Sequence, residues 1–228
     1  MIVSPALLRA IPLFSTLSDP ELQAVLKSTR QLHYPKNSLV FHEGDRGDSL
    51  LVVLSGRVKV LLSGDRGQEI ILSILEPPSF LGEIALLDES PRSATAVTLE
   101  QTDFLKVTQE QFLDLMQQHR PIATKVVKQL AGCLRDATEH IRTLSMFDVH
   151  GRILRALLKL AKQRGTKQQT RIVIQPRPSH QVLAQMIGCS RETVSRAMKV
   201  LQGTGHIKVT RTAVALEERT LRRYWTGF

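Results

Sequence analysis

SHQVLAQMIGCSRETVSRAMKVLQ, residues 179–202, is the stretch on which the reading of this chain turns. Ser179 carries a hydroxyl able to accept the free amide protons of a helix opening at the next residue. Val182, Leu183, Met186 and Ile187 give that helix an apolar side at spacings of three and four. Gly188 then ends it, since a tight helix-to-helix turn takes one residue with positive φ. Ser190 caps a second helix, whose Val194, Ala197, Met198 and Leu201 form the side expected to be buried. Ala184 is small where the two helices must cross closely. Arg191, Glu192, Ser195, Arg196 and Lys199 stand on the outer face. Arginine binds both acceptors of guanine at once, and glutamate accepts from the cytosine amino group. The pattern predicts a helix-turn-helix that docks in duplex DNA. An ordinary helical hairpin with a solvated polar face would not need turn, small residue and reading positions to agree.

Charge supports the same reading. The 228 residues carry 31 Lys/Arg and 21 Asp/Glu, net +10. Residues 1–120 hold 11 basic and 15 acidic side chains, residues 121–147 hold 4 and 2, and residues 148–228 hold 16 and only 4. A rear third at +12 matches a polyanion, with counterion release from phosphates supplying much of the affinity. The length suits two domains, each with its own core. No apolar run reaches the roughly 18 residues of a membrane span, and MIVSPALLRAIPLF lacks a secretory cleavage pattern. Cys133 and Cys189 are the only cysteines, so a reducing cytoplasm is expected and a disulfide is not. There is no cysteine cluster for zinc or iron–sulfur, and His33, His42 and His150 lack ligand spacing, so no metal is expected.

Ahead of this basic third, residues 38–107 read as all-β after a mostly helical 2–27. Apolar and β-branched runs at 38–41, 49–54, 57–62, 69–75 and 94–97 are separated by turn signals at Gly44-Asp45, Ser55-Gly56 and Ser63-Gly64-Asp65. Such spacing predicts a sandwich or barrel. FLGEIALLDESPRSAT, residues 80–95, interrupts it. Gly82 permits close backbone approach by a ligand, and the short helix after it offers amide donors to an anion. Arg92 can grip a phosphate with two N–H groups, Ser93 adds a hydroxyl donor, and Glu83 can accept from a ribose hydroxyl. Spacing alone leaves this equal with a β-bulge carrying a surface Glu83–Arg92 ion pair.

Between the two regions, residues 121–147 lack an internal proline. Ala123, Val127, Leu130, Leu134, Ala137, Ile141 and Leu144 follow one another at alternating intervals of 4 and 3, the seam of a two-stranded coiled coil. A helix packing one side on its own domain would show a similar stripe. A homodimer is the preferred reading, because a two-fold pair of reading helices meets half-sites a helical turn apart. Asp148 caps the next helix, residues 149–161, which makes Phe147-Asp148 a hinge.

FLGEIALLDESPRSAT resembles the phosphate-binding cassette of cyclic-nucleotide-binding domains. FDVHGRI, residues 147–153, followed by GCSRETVSRAMKVL, resembles the carboxy-terminal half of bacterial CRP/FNR-type transcription regulators. The resemblance runs through essentially the whole chain in the right order. It implies an α+β protein with a cyclic-nucleotide-binding β-roll of jelly-roll kind at 1–120, a long dimerisation helix and hinge at 121–147, and a winged helix-turn-helix at 148–228. It implies that Gly82, Glu83, Arg92 and Ser93 hold ribose and cyclic phosphate, and that Gly44, Asp45 and Gly56 form β-roll turns. Arg191, Glu192 and Arg196 would read a palindromic, TGTGA-like site, and RNA polymerase would be a partner. Members that respond to cyclic AMP set two adjacent hydroxyl residues against the adenine amino group. Here Ala137 precedes Thr138, so one hydroxyl remains, and Thr138 would reach the base in the partner subunit. Cyclic AMP is the expected effector. The alternatives are cyclic GMP or another nucleotide, a vestigial pocket with no ligand, and a nucleotide-binding module acting on a protein partner. The last leaves the basic third without a role. Oxygen and haem sensing are not expected, for want of amino-terminal cysteines and of an axial ligand.

The remaining segments complete the reading. Residues 171–174, 207–210 and 213–216 predict strands of a wing. Lys208 and Arg211, with Arg177 and His180, are placed to contact phosphates, and Ser179 and Gln181 join the DNA-contacting set. The tail Leu221-Arg222-Arg223-Tyr224-Trp225 either packs on its own domain or adds a backbone contact. Residues 163–170 read as a loop without enough pattern to mark a polymerase surface. No nucleophile–base pair or metal cluster is visible, so an enzyme is not expected. Bound nucleotide is expected to shift the dimer toward the form whose reading helices match successive grooves.

Overall fold

The computed structural model describes residues 4–65, 67–217 and 220–221, so the aromatic tail from residue 222 onward lies outside the described residues. The chain divides into two units, Met1–Ser63 with Leu72–Asp136, and Gly64–Ile71 with Ala137–Phe228. Among the described residues no helix is long and apolar enough to cross a membrane.

The amino-terminal part opens with helix α1 (Pro5–Ala10), a 3₁₀ turn (Pro12–Phe14) and helix α2 (Asp19–Ser28). Each start is written in the residues. Ser4 accepts from the Leu7 amide, and Ser18 with Glu21 forms a reciprocal capping box just ahead of a proline in the first turn. Eight strands follow: β1 (Arg30–Tyr34), β2 (Leu39–Phe41), β3 (Ser49–Ser55), β4 (Val58–Ser63), β5 (Glu69–Leu75), β6 (Phe80–Leu81), β7 (Thr95–Thr98) and β8 (Thr102–Thr108). They form two four-stranded sheets in the orders β1-β8-β3-β6 and β2-β7-β4-β5, the β-roll expected. Helix α3 (Glu83–Leu87) interrupts the strands, and α4 (Gln109–Gln118) and α5 (Arg120–Met146) follow them.

The five runs predicted as strands correspond to β2, β3, β4, β5 and β7. Strands β1, β6 and β8 were not expected. The first is mostly exposed, and β6 is only two residues long. Strand β8 breaks its apolar positions with Asp103 and Lys106, yet pairs antiparallel with β3 from Ser49↔Thr108 to Val53↔Phe104. Strand β3 is buried on both sides. Leu50 and Val52 join Leu105, Val107, Phe112 and Ile122 in one core, while Leu51 and Val53 meet Val58, Leu81, Ala96 and Phe104 in the other.

Helix α5 uses two apolar sides. Ile122 and Val126 are buried in the first core, with Leu130 packed against it. Val127, Leu134 and Ile141, seven residues apart, are 62 %, 69 % and 66 % exposed. The predicted stripe is therefore split between a side packed on its own unit and an open heptad repeat.

The carboxy-terminal part contains α6 (Val149–Arg164), β9 (Gly165–Gln168), β10 (Arg171–Ile174), α7 (His180–Ile187), α8 (Arg191–Gly203), β11 (Ile207–Val209) and β12 (Val214–Leu216), with strand order β11-β12-β10-β9. Asp148 accepts from the Gly151 amide and so caps α6. Residues 163–170 are not a loop: α6 continues to Arg164, and β9 pairs antiparallel with β10.

Candidate functional site

Strand β6 delivers the chain to Gly82, whose φ of +92° lies in the left-handed region. A Cβ there would collide with Arg92 Nη1 and come within 3.0 Å of the Ser49 carbonyl. Glu83 is the first residue of α3. Arg92 returns to the same place because its backbone is pinned to the 42–45 turn: its amide donates to Asp45 O and its carbonyl accepts from the Gly44 amide, both at 2.8 Å. The guanidinium donates from Nη1 to Gly82 O at 2.9 Å and from Nη2 to Ser49 O at 2.7 Å. It lies 4.4 Å above the Phe41 ring, with the Asp48 carboxylate 4.0 Å away. Its Nε is buried with no hydrogen-bond partner.

Glu83 and Arg92 are each 5 % exposed. Burial pushes the Glu83 carboxyl above the ordinary range, against its own backbone amide, the Gln129 side chain and Arg92. Burial pulls the Arg92 guanidinium down, and Asp48, Glu83 and Asp45 oppose it. The surface ion pair that spacing allowed is not what forms. Both groups are buried, and Arg92 donates to carbonyls rather than to Glu83. Chemically, the cassette holds a desolvated cation with a spare donor and a desolvated acceptor around one left-handed turn. That set suits an anionic ligand carrying a hydroxyl. Ser93 is exposed beside Arg92, while Ala137 and Thr138 are exposed on α5 and belong to the second unit.

The helix-turn-helix is built as its residues dictate. Ser179 accepts from the Val182 amide at 3.1 Å, and Ser190 accepts from the Thr193 amide at 3.2 Å. Gly188 has φ +65° and its amide donates to Ala184 O. Leu183, Ala184, Ile187, Val194, Ala197, Met198 and Leu201 are buried. Arg191, Glu192, Arg196 and Lys199 are exposed on α8, with Ser195 half-buried between them. Hydrogen bonds from its own amide and Ser190 hold the Glu192 carboxyl below its usual range, so it stays an acceptor. Arg177, Ser179, His180, Gln181 and Arg191 line an open depression of about 390 Å³. The Arg177 side chain donates to Thr210 O at 3.1 Å, which ties this wall to the wing turn, and Lys208 is exposed on β11.

The break expected at Phe147-Asp148 separates α5 from α6, but two side chains span it. Arg152 donates to Leu144 O at 2.6 Å and Phe147 O at 2.9 Å, and reaches Ile187 O, at the end of α7, at 3.5 Å. Arg155 pairs with Glu139 and lies 4.0 Å over the Phe147 ring. Sequence reading missed Arg152 and Arg155, although the former sits inside the quoted FDVHGRI. It also missed Asp48 and Gln129, whose side-chain amide donates to Phe80 O at 3.0 Å and Glu83 Oε1 at 3.3 Å. Nothing in the pattern around Gln129 distinguishes it from any polar residue on a helix.

Comparison with known proteins agrees with both halves of the geometry. Residues 31–119 match the family of the cyclic nucleotide-binding domain, and residues 151–224 match the Crp-like helix-turn-helix domain. The chain is 34 % identical over 215 residues to the cyclic AMP receptor protein of Thermus thermophilus, covering 94 % of this chain and 96 % of that one. It is 33 % identical over 186 residues to the cAMP-activated global transcriptional regulator CRP of Salmonella typhimurium, covering 81 % and 88 %. The c-di-GMP responsive global regulator CLP of Xanthomonas campestris superposes with a TM-score of 0.73 at 29 % identity, covering 88 % of this chain and 99 % of that one.

Proposed function

The chain belongs to the CRP/FNR family of bacterial transcription regulators, and from that premise we propose that it is a cytoplasmic homodimer switched by a cyclic nucleotide, cyclic AMP first. The observation that carries the ligand half is Arg92, a buried guanidinium whose Nε has no partner, beside the left-handed Gly82 and across it from buried Glu83. A cyclic phosphate supplies the missing acceptor, the glycine lets it approach, and a ribose hydroxyl donates to Glu83. The exposed repeat of Val127, Leu134 and Ile141 supports the dimer, since an apolar stripe of that size is costly in water. In the dimer the exposed Arg191, Glu192 and Arg196 of each subunit meet one half of a palindromic, TGTGA-like site. RNA polymerase is the further partner of this reading, and the protein performs no catalysis.

The switch is a difference in nucleotide affinity between two arrangements of the DNA-reading pair. The test is operator affinity with and without nucleotide. A labelled palindromic TGTGA duplex is titrated with the protein in the presence and absence of saturating cyclic AMP, and calorimetry compares cyclic AMP, cyclic GMP and c-di-GMP. Tighter operator binding with cyclic AMP is expected, and equal affinity at saturation rejects the coupling. A second reading, an effector other than cyclic AMP, is favoured by Ala137 at one of the two base-contacting positions. The likeness to a c-di-GMP responsive regulator points the same way. Heat with c-di-GMP and none with cyclic AMP selects it.

A further inference from the structure

Gln129 is a point at which a polar side chain of α5 grips the cassette. Its amide nitrogen carries two protons, and both have acceptors: Phe80 O at 3.0 Å and Glu83 Oε1 at 3.3 Å. These acceptors flank Gly82, so one side chain straps the β6–Gly82–α3 turn to the long helix. The charged group facing Glu83 is Arg92, from the segment before β7, with Asp48 and Asp45 beyond it. The Arg92 guanidinium gives its two Nη donations to the Gly82 and Ser49 carbonyls. The side-chain donor to Glu83 therefore comes from α5. A carboxylate removed from water needs such a donor to remain an acceptor, because burial otherwise favours the protonated form.

Resting on the nucleotide reading above, we propose that Gln129 is a positioning residue that holds the Glu83 carboxylate as the acceptor for a ligand hydroxyl. A carboxylate has room for several donors, so a hydroxyl joins Gln129 on Glu83 rather than replacing it. The 3.3 Å bond is longer than a charge-assisted hydrogen bond at its optimum of about 2.7–2.9 Å.

The experiment uses the full chain with ¹³C-labelled glutamate. The Glu83 carboxyl resonance, assigned by its loss in Glu83→Gln, is titrated in the ligand-free wild type and in Gln129→Leu. Gln129→Met replaces the latter if it fails to fold by circular dichroism. Loss of the donor raises the Glu83 midpoint by about one pH unit, the worth of one hydrogen bond to a charged group. Cyclic AMP affinity is then measured by calorimetry at pH values spanning the midpoints so determined. In the variant it falls by up to about tenfold for each pH unit below the raised midpoint, while the wild type stays flatter. An unchanged Glu83 midpoint overturns the inference whether or not nucleotide binds. So does a pH profile shared by wild type and variant when both bind. A raised midpoint with no heat from the wild type upholds the strap and rejects cyclic AMP as what Glu83 accepts from.

Discussion

Arg92 in the cassette and Arg191 on α8 carry the same guanidinium into opposite surroundings. The first is enclosed by Phe41, Gly82, Ser49 and Asp48, and its direction is fixed by four backbone hydrogen bonds, two from its side chain and two from its own peptide. The second stands in the open on a helix whose start is fixed by Ser190. A desolvated charge interacts strongly with the one group that reaches it and is little screened by salt. An exposed charge interacts weakly one contact at a time and draws its selectivity from geometry across a groove. One region is shaped for a small ligand that can be enclosed, the other for a duplex that cannot.

The largest effect expected from breaking this contrast is Arg92→Leu. The charge-assisted hydrogen bond from Nε to phosphate and the buried charge behind it are lost, so nucleotide affinity measured by calorimetry falls by about 100-fold. Operator affinity loses its response to nucleotide, while salt-dependent binding to random duplex persists. Gly82→Ala comes next. A non-glycine residue in the left-handed region costs about 1–2 kcal/mol, read from urea unfolding, and the new Cβ also displaces the Arg92 guanidinium. A variant of normal stability and normal nucleotide affinity would show that the turn is not the tight place described.

On the other side of the contrast the effects are smaller and differ in kind. Arg191→Ala is expected to lose about 1–3 kcal/mol of discrimination between the operator and a site altered at the contacted base pair, with nucleotide binding kept. Lys208→Ala weakens all duplexes alike and lowers the slope of log affinity against log salt by about 0.9. A base-specific loss from Lys208→Ala would break the division between positioning and reading residues.

The DNA-reading half was largely legible because its signals are local. Ser179, Gly188, Ser190 and Asp148 each act on a backbone group within a few residues, and the structure uses all four as the sequence predicts. Gly82, Glu83 and Arg92 were legible as residues. Their arrangement was not, because Arg92 is fixed by Ser49, 43 positions away, and by Asp45 and Phe41. Strand β8 escaped for a similar reason, since burial between β1 and β3 overrides the charges in its own sequence. Gln129 and Arg152 act through hydrogen bonds to partners 46 and 35 residues distant, and no periodicity records such a pair.

The smallest effect concerns His180, which lies beside the exposed Arg191. Desolvation, then Arg177 and Arg191, hold the His180 imidazole below its ordinary value, so it is neutral in the free protein at pH 7 and stays neutral somewhat below the usual range. A lowered histidine value means the unfolded chain binds more protons as pH falls through about 6.5, so this residue makes the fold slightly less stable in acid. Duplex binding acts in the opposite direction. Phosphates approaching the depression lined by His180 favour the imidazolium, so association takes up a proton in the window between the lowered free value and the raised bound one. Operator affinity should therefore rise as pH falls from 7.5 through the histidine range, and His180→Gln should remove that dependence. A wild-type affinity that is flat or falls across the same range would mean that no phosphate comes near His180, and the docking face would have to be moved off this wall.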